Sequence, residues 1–169
     1  MDAMEAILTR RSIRKYESTP LTEEQIHQLL DAAMSAPSSA NGQPWHFVVI
    51  TERNVLDEIP KFHAYSGMIK EAPAAIIVCG DATVERSRNV WVQDCSAATE
   101  NILLAARALG LGSVWLGVYP IEERMNGLRT LLALPPNIIP LSIVVLGHPG
   151  ETKPPAGRFD AGRVHRNKW

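Results

Sequence analysis

Side chains able to bind an anion are concentrated in residues 10–14. Arg10, Arg11 and Arg14 place three guanidinium groups around the hydroxyl of Ser12, where a predicted helix ends. Guanidinium groups pair with phosphate oxygens, and each charged hydrogen bond contributes roughly 1.5–3 kcal/mol. The segment therefore indicates a phosphate site. The competing interpretation of the segment alone is a solvated arginine cluster that complements the helix dipole.

A second segment, residues 37–45, concentrates uncharged polar groups. Its candidate ligand-binding residues are Pro37, Ser38, Ser39, Asn41 and Gln43. Proline, serine, asparagine and glycine also form ordinary tight turns, so a purely structural turn is the alternative. However, the amides of asparagine and glutamine each offer a donor and an acceptor. That combination suits the alternating N–H and C=O edge of a flavin or nucleobase, and the two segments together predict a phosphorylated heterocycle.

A third candidate is the pair Leu116 and Gly117 at the end of a predicted strand. Glycine lacks a Cβ, so a flat ligand can approach the backbone closely at such a position. A glycine that merely ends a strand is the plainer interpretation.

Several other chemistries are excluded by spacing. The dinucleotide pattern G-x-G-x-x-G, read from Gly110, would require glycine where Trp115 stands. We find no Walker A motif, no metal-type spacing among the histidines and no nucleophile elbow. If the protein is an enzyme, we expect a bound cofactor to carry the chemistry, without a catalytic residue of its own or a metal.

Length and composition favour one globular domain. The chain has 169 residues, is 46% hydrophobic and carries a net charge of −1, so no extended basic track supports binding to nucleic acid. No apolar segment is long enough for a membrane span and no signal sequence is recognised, so we expect a cytoplasmic protein without a membrane partner. Cys79 and Cys95 are expected to be buried free thiols rather than a disulfide.

The periodicity predicts helices and strands in alternation. A first helix capped by Asp2 runs into Arg10 and Arg11, and a second begins at the capping box of Thr22 and Gln25. Further helices are predicted over residues 54–62, 91–109 and 120–134, and strands over 46–50, 74–80, 113–118 and 140–147. Alternation is typical of a parallel sheet, but two opening helices fit that fold poorly, so the topology stays open. Residues 148–169 cannot form a core of their own and need a surface, on a partner or on the same chain.

In order and spacing, these motifs resemble the FMN-dependent nitroreductases, particularly their short members, over essentially the whole chain. The resemblance is carried by residues 10–16, 36–45, 97–101, 108–112, 115–117 and 146–147 and by the tail that contains arginine. It implies an α+β fold, a three-layer α/β/α sandwich with a central mixed, mainly antiparallel sheet. It also implies a single FMN-binding domain over residues 1–169, whose C-terminal segment 148–169 is exchanged with the partner in a homodimer.

The resemblance also assigns roles to residues at two FMN sites between the subunits. Arg10, Arg11, Ser12 and Arg14 would hold the phosphate, the ribityl chain and part of the ring. The other subunit would provide the residues of the turn, and the backbone of Leu116 and Gly117 would face the flavin near N5. In the tail, Arg158 matches a basic residue that reaches the phosphate, and Lys153 is a weaker match.

The implied activity is an oxidoreductase that uses NAD(P)H as co-substrate and reduces small acceptors such as nitroaromatics or quinones in ping-pong fashion. Two alternatives remain open. One is other flavin chemistry on the same scaffold, such as dehalogenation, azoline-type dehydrogenation or flavin fragmentation. The other is a non-catalytic FMN-binding protein.

Overall fold

The computed structural model describes residues 1–84 and 90–169. Within them, five α-helices and four β-strands alternate with short 3-10 turns. The helices are α1 (Ala3–Thr9), α2 (Glu23–Met34), α3 (Arg53–Leu56), α4 (Trp91–Ala108) and α5 (Glu122–Leu131). The strands are β1 (Trp45–Ile50), β2 (Ala74–Asp81), β3 (Gly112–Gly117) and β4 (Ile138–Gly147).

Local hydrogen bonds define the start of α2 and the end of α4. The predicted capping box of α2 is present: Thr22 Oγ1 accepts from the Gln25 N–H, and the Gln25 side chain accepts from the Thr22 N–H. Beyond α4, Gly110 adopts the left-handed conformation at φ 75°. The N–H of Leu111 then donates to the carbonyl of Ala106, which ends the helix and turns the chain into β3.

The sheet has the strand order β1-β2-β4-β3, and every pairing between these strands is antiparallel. A parallel bridge joins Ser12 to Ser113 beside β3. Alternate residues of the strands face two separate cores: Ile77 and Val145 pack towards α3 and α5, whereas Ile76 and Val144 pack towards α2 and α4. The three-layer sandwich with a mainly antiparallel sheet is therefore confirmed, and a parallel sheet is excluded.

Most predicted boundaries differ from the structure by one or two residues, and three helical segments illustrate the physical reasons. Helix α1 ends at Thr9, so Arg10 and Arg11 lie beyond it rather than on its surface. Residues 54–62 form α3 and a separate 3-10 turn, Ile59–Lys61, because Pro60 lacks the N–H that a continuous helix requires. Helix α5 begins at Glu122 and ends at Leu131, inside the predicted range of 120–134.

Apolar side chains remain exposed at α1 and in the tail. On α1 only Ala6 is buried, whereas Met4, Ile7 and Leu8 face solvent. The tail is hydrogen-bonded to the rest of its own chain as far as Pro154, whose carbonyl accepts from Arg11, and residues 156–159 then border α1 at a cavity shared with Ile7 and Leu8. Beyond Pro154 every residue is exposed, including Phe159 and Trp169. This leaves two unpartnered apolar surfaces on a single chain.

Two sequence-based expectations concern the interior and the membrane. Cys79 and Cys95 are both buried free thiols that form no disulfide, as expected. Across residues 1–84 and 90–169, none of the helices has the length and apolar character needed to cross a bilayer.

Candidate functional site

The arginine segment is fastened to β3 by its own backbone. The Ile13 N–H donates to the Ser113 carbonyl (2.9 Å), and the buried hydroxyl of Tyr16 donates to the Ile13 carbonyl (2.6 Å). The side chains of Ile13 and Tyr16 are buried, whereas those of residues 10–12 and 14–15 are partly or fully exposed. Arg10 and Arg11 therefore project from a fixed backbone rather than from a fraying helix end.

A cavity of about 170 Å³ opens beside this segment. Four cationic residues line it, namely Arg10, Arg11, Arg107 and Lys153, against one carboxylate, Glu151. Such an excess of positive charge around a small cavity favours an anion, since charged hydrogen bonds are stronger there than in open water.

The single carboxylate in this cavity is already paired. Glu151 accepts from the Arg14 N–H (2.6 Å) and from Lys153 Nζ (3.0 Å). The hydrogen bond from Arg14 is the largest cause that lowers the pKa of Glu151, and the bond from Lys153 adds to it. Lys153 Nζ also donates to the Ser12 carbonyl (2.8 Å). The start of the tail is thus bound to the arginine segment of the same chain.

The turn of residues 37–45 is built from unusual backbone conformations. Ala40, Asn41 and Gln43 have φ values of 49°, 54° and 47°, in the left-handed region that non-glycine residues rarely adopt. Side-chain bonds hold them: Ser38 Oγ accepts from the Gln43 N–H (3.0 Å), and the Gln43 amide donates to Asn41 Oδ1 (2.9 Å). Clustered backbone strain of this kind is found at ligand-binding sites more than in plain turns.

Helix α4 carries both polar segments, but on different sides. Ser39 N–H donates to Asp94 Oδ1 (2.9 Å), while Arg10 pairs with Glu100 (3.5 Å). Asp94 and Glu100 are six residues apart, so they differ by about 240° around the helix axis and by about 9 Å along it. Within the described residues, no hydrogen bond or ion pair joins residues 10–14 to residues 37–45. One chain therefore presents two half-sites.

The end of β3 presents an uncovered backbone. A Cβ placed on Gly117 would meet no atom of the described residues within 4 Å, so these residues leave the space in front of the strand end open. The carbonyl of Gly117 is bound by His63 Nε2 (3.0 Å) and by Arg124 Nη1 (2.8 Å). Leu116 is buried, and thus only the backbone of this pair is available to a ligand.

His63 is a buried histidine with a defined tautomer. Because its Nε2 faces a carbonyl oxygen, Nε2 carries the proton, and Nδ1 has no hydrogen-bond partner among the described residues. Burial is the largest cause that lowers the pKa of His63 below its ordinary 6.5. Arg124 lowers it further, while the bond to Gly117 raises it. The ring is therefore neutral at physiological pH.

The structure brings some predicted residues together and separates others. Arg10, Arg11 and Lys153 share one cavity, and Arg158 shares a neighbouring cavity of about 370 Å³ with Arg10. The side chain of Arg14 points away, since the residue is exposed and does not line that cavity. The turn residues and Gly117 lie elsewhere on the same chain.

Sequence reasoning missed three residues of these sites. Arg107 lines the anion cavity from the last turn of α4, and its only sequence signal is a basic residue near a helix C-terminus. His63 and Arg124 meet at Gly117 from segments that are distant in sequence, and no local pattern announces them. Among the described residues, no group of three or more His, Cys, Asp or Glu side chains is placed to hold a metal ion.

Comparison with known proteins gives a consistent result. The model of the nitroreductase family matches residues 7–64 and 60–148. A Methanothermobacter thermautotrophicus protein named "Putative NADH dehydrogenase/NAD(P)H nitroreductase" is 52% identical over 169 residues, which cover 100% of this chain and 88% of that protein. A crystal structure from Parabacteroides distasonis with the same name has a TM-score of 0.95 at 41% identity, and the match covers 99% of this chain and 98% of that one.

A further solved structure contains a bound ligand. It is a Desulfovibrio desulfuricans protein described as "a putative nitroreductase in complex with fmn", with a TM-score of 0.87 at 32% identity. The match covers 100% of this chain and 98% of the other. The sandwich fold, the arginine segment on β3 and these matches together place the chain in the nitroreductase family.

Proposed function

We propose that this protein is an FMN-dependent NAD(P)H oxidoreductase that reduces nitroaromatics, quinones or similar small acceptors. One observation carries the proposal: the cation-lined cavity and the uncovered Gly117 lie along the same strand. Ser113, which anchors the arginine segment, is four residues from Gly117, about 13 Å along an extended strand. A ligand with an anionic end and a flat ring joined by a long flexible arm fits that separation.

The residues of both half-sites fit FMN chemically. Arg10, Arg11 and Lys153 offer the charge that a phosphate dianion needs, and Arg107 adds a fourth cation from α4. At the other end, the missing Cβ of Gly117 leaves room for a ring to approach the backbone. Asn41 and Gln43 provide donors and acceptors for the pyrimidine edge of the ring.

The arrangement of the half-sites supports a homodimer. Because the arginine segment and the turn attach to different sides of α4, a second copy is required to bring a turn to each phosphate site. The exposed apolar side chains of Met4, Ile7 and Leu8 on α1, together with residues 155–169, offer surface that such a partner would cover. We therefore propose two FMN sites between subunits, with the C-terminal segment packed on the partner.

Within that dimer, the side chains bind and orient rather than react. FMN, when bound, supplies two-electron chemistry, taking hydride from NAD(P)H and reducing the acceptor after the nicotinamide has left. The arginines neutralise the phosphate and fix one end of the ligand, while the backbone of Leu116 and Gly117 defines where the ring lies. No side chain near Gly117 is needed as a proton donor, because the strand end is open to solvent.

The experiment begins with the absorbance spectrum of the purified protein. A yellow protein, or a colourless one that takes up added FMN in a 1:1 ratio per chain, supports the proposal. NAD(P)H oxidation is then followed with a nitroaromatic and with a quinone. Failure to take up FMN would refute the proposal outright.

Product analysis and stopped-flow reduction separate the alternatives. Bound FMN that NAD(P)H cannot reduce would instead indicate a binding protein. Reduction by NAD(P)H without transfer to either acceptor would point to dehalogenation or to another flavin reaction on this scaffold.

A further inference from the structure

We propose that His63 and Arg124 are positioning residues, which clamp the carbonyl of Gly117 and thereby place the strand end for the flavin ring. The inference rests on the proposed function, since it concerns the same FMN site. It assigns a role to two side chains that no sequence motif singled out. It also explains why a buried histidine with an unpartnered ring nitrogen lies at this strand end.

Three segments of the chain meet at this carbonyl oxygen. His63 Nε2 approaches from the loop that precedes the 3-10 turn Gly67–Lys70 (3.0 Å), and Arg124 Nη1 approaches from the first turns of α5 (2.8 Å). A carbonyl oxygen has two lone pairs, and both are used here. Arg124 is itself oriented, because its guanidinium lies over the ring of Tyr65 at 5.7 Å from the centroid.

The other side of the same peptide is also held. The N–H groups of Val118 and Tyr119 both donate to the carbonyl of Leu141 (3.1 Å each). The peptide that joins Gly117 to Val118 is therefore bound at its oxygen by two donors and at its nitrogen by β4.

Such support matters because Gly117 is the least restrained residue type. Glycine rotates more freely than any other residue, and no side chain or neighbouring atom fills the space where its Cβ would be. A ligand that is placed by backbone groups needs that backbone held within a fraction of an ångström. The two donors provide this restraint through the carbonyl oxygen, while the space at the Cβ position of Gly117 stays free of described atoms within 4 Å.

The test uses His63→Leu and Arg124→Met, which remove one donor each while keeping side-chain bulk. His63→Gln is the conservative variant, since its amide N–H can replace Nε2–H. Arg129→Met is the matched control, because it removes the same charge from α5 at a residue that bonds Pro136 instead. Each dimer is titrated with FMN and with riboflavin, and amide hydrogen exchange is measured without flavin.

We expect His63→Leu and Arg124→Met each to lower the affinity for FMN and the affinity for riboflavin by the same factor, about tenfold. The factor is the same because the two donors act on the ring end of the site and not on the phosphate. The affinities for oxidised and for reduced FMN should change unequally, which shifts the reduction potential of the bound FMN. A tenfold difference between the two changes corresponds to a shift of about 30 mV for a two-electron couple. Without flavin, the amides of Val118 and Tyr119 should exchange faster. The double variant should lose less flavin-binding free energy than the sum of the two single losses, since both donors act through one oxygen.

The conservative and control variants make the result decisive. His63→Gln and Arg129→Met should keep wild-type affinity, potential and exchange rates. The proposal is overturned if His63→Leu and Arg124→Met retain the wild-type riboflavin affinity and FMN potential, or if only FMN binding weakens while riboflavin binding does not. If the unmodified protein binds neither flavin, the proposed function itself fails, and the exchange rates still report whether the clamp holds the strand end.

Discussion

The main-chain N–H of Ile13 donates a hydrogen bond to the carbonyl of Ser113 at 2.9 Å. This contact makes β3 the common support of the arginine segment at its start and of Gly117 at its end. The anion cavity and the uncovered backbone therefore keep a fixed separation along one strand. Each can be altered separately, which allows phosphate binding and ring binding to be distinguished.

Replacing Arg10 with alanine tests the phosphate end. Loss of a charged hydrogen bond costs roughly 1.5–3 kcal/mol, so FMN should bind about 10- to 100-fold more weakly. Riboflavin, which has no phosphate, should bind as it does to the unmodified protein. Flavin fluorescence titration measures both, and Arg129→Ala serves as the control for loss of an arginine. Equal weakening of both flavins would contradict a phosphate role for Arg10.

Replacing Gly117 with valine tests the ring end. Within the described part of the chain, a Cβ at Gly117 meets no atom within 4 Å, and the φ of Gly117 lies outside the left-handed region, so the free energy of unfolding should change by less than about 0.5 kcal/mol. Flavin binding should nevertheless be lost, because the new side chain fills the space that the ring would occupy.

Gly67→Val is the matched control for the ring end, since that glycine also meets none of the described atoms within 4 Å but begins the 3-10 turn Gly67–Lys70 instead of ending β3. It should keep flavin binding. A folded Gly117→Val protein with wild-type FMN affinity would show that the ring binds elsewhere.

The tail offers two candidate phosphate ligands, and the structure distinguishes their surroundings. Lys153 lines the cavity that also contains Arg11 and Arg107, whereas Arg158 lies in the neighbouring one. We expect Lys153→Met to weaken FMN binding more than Arg158→Met does, because Lys153 also holds the Ser12 carbonyl. Calorimetric titration of both variants decides the order, and a larger loss for Arg158→Met would favour a tail that rearranges in the dimer.

The free energy of unfolding should decrease as the pH is lowered, because of His63. Its folded-state pKa is lowered from 6.5, so the unfolded chain binds more protons at this residue when the pH is below that value. The stabilisation gained by keeping the ring neutral is complete above pH 6.5 and is lost as the pH falls through the folded pKa. Urea denaturation between pH 7.5 and about pH 5 measures this decline, and it should be shallower in His63→Gln. An identical slope in both proteins would exclude His63 as the cause.

Local sequence signals predicted the elements well. Thr22 with Gln25 located the start of α2, and Gly110 located the end of α4, because caps and left-handed glycines act over three or four residues. The continuous apolar run at residues 74–80 identified β2, because a strand buried on both faces has apolar residues at every position. Where a boundary was wrong, as at Pro120, the proline precedes the helix by two residues instead of beginning it.

The arrangement of those elements was not accessible from periodicity. The order β1-β2-β4-β3 depends on pairings between residues far apart, such as Ala74 with Leu146, and alternation of helices and strands suggested the opposite direction. Nothing local indicates that Leu8 of α1 faces outwards, because an apolar side chain at helical spacing normally packs on the core of its own chain. Resemblance to a family, not spacing, predicted the antiparallel sheet.

The candidate site was predicted in part for similar reasons. Arg10 and Arg11 are adjacent arginines, a pattern that predicts an anion site from the sequence alone, and both line the cavity. Arg107 and His63 contribute through contacts that only the fold creates. The roles assigned to Ser39, Asn41 and Gln43 on a partner's ligand stay predictions.

Subunit complementation tests the central claim, a site shared between two chains, most directly. Arg10→Ala removes the phosphate half-site, and Asn41→Glu disables the turn by placing a carboxylate at the ring edge. Mixed by co-refolding or co-expression, the two variants form a heterodimer with one intact site and one doubly defective site. With random pairing, about a quarter of the wild-type FMN capacity should return, although each variant alone binds little. If the mixture binds no more FMN than the separate variants, both halves belong to one chain and the shared site is contradicted.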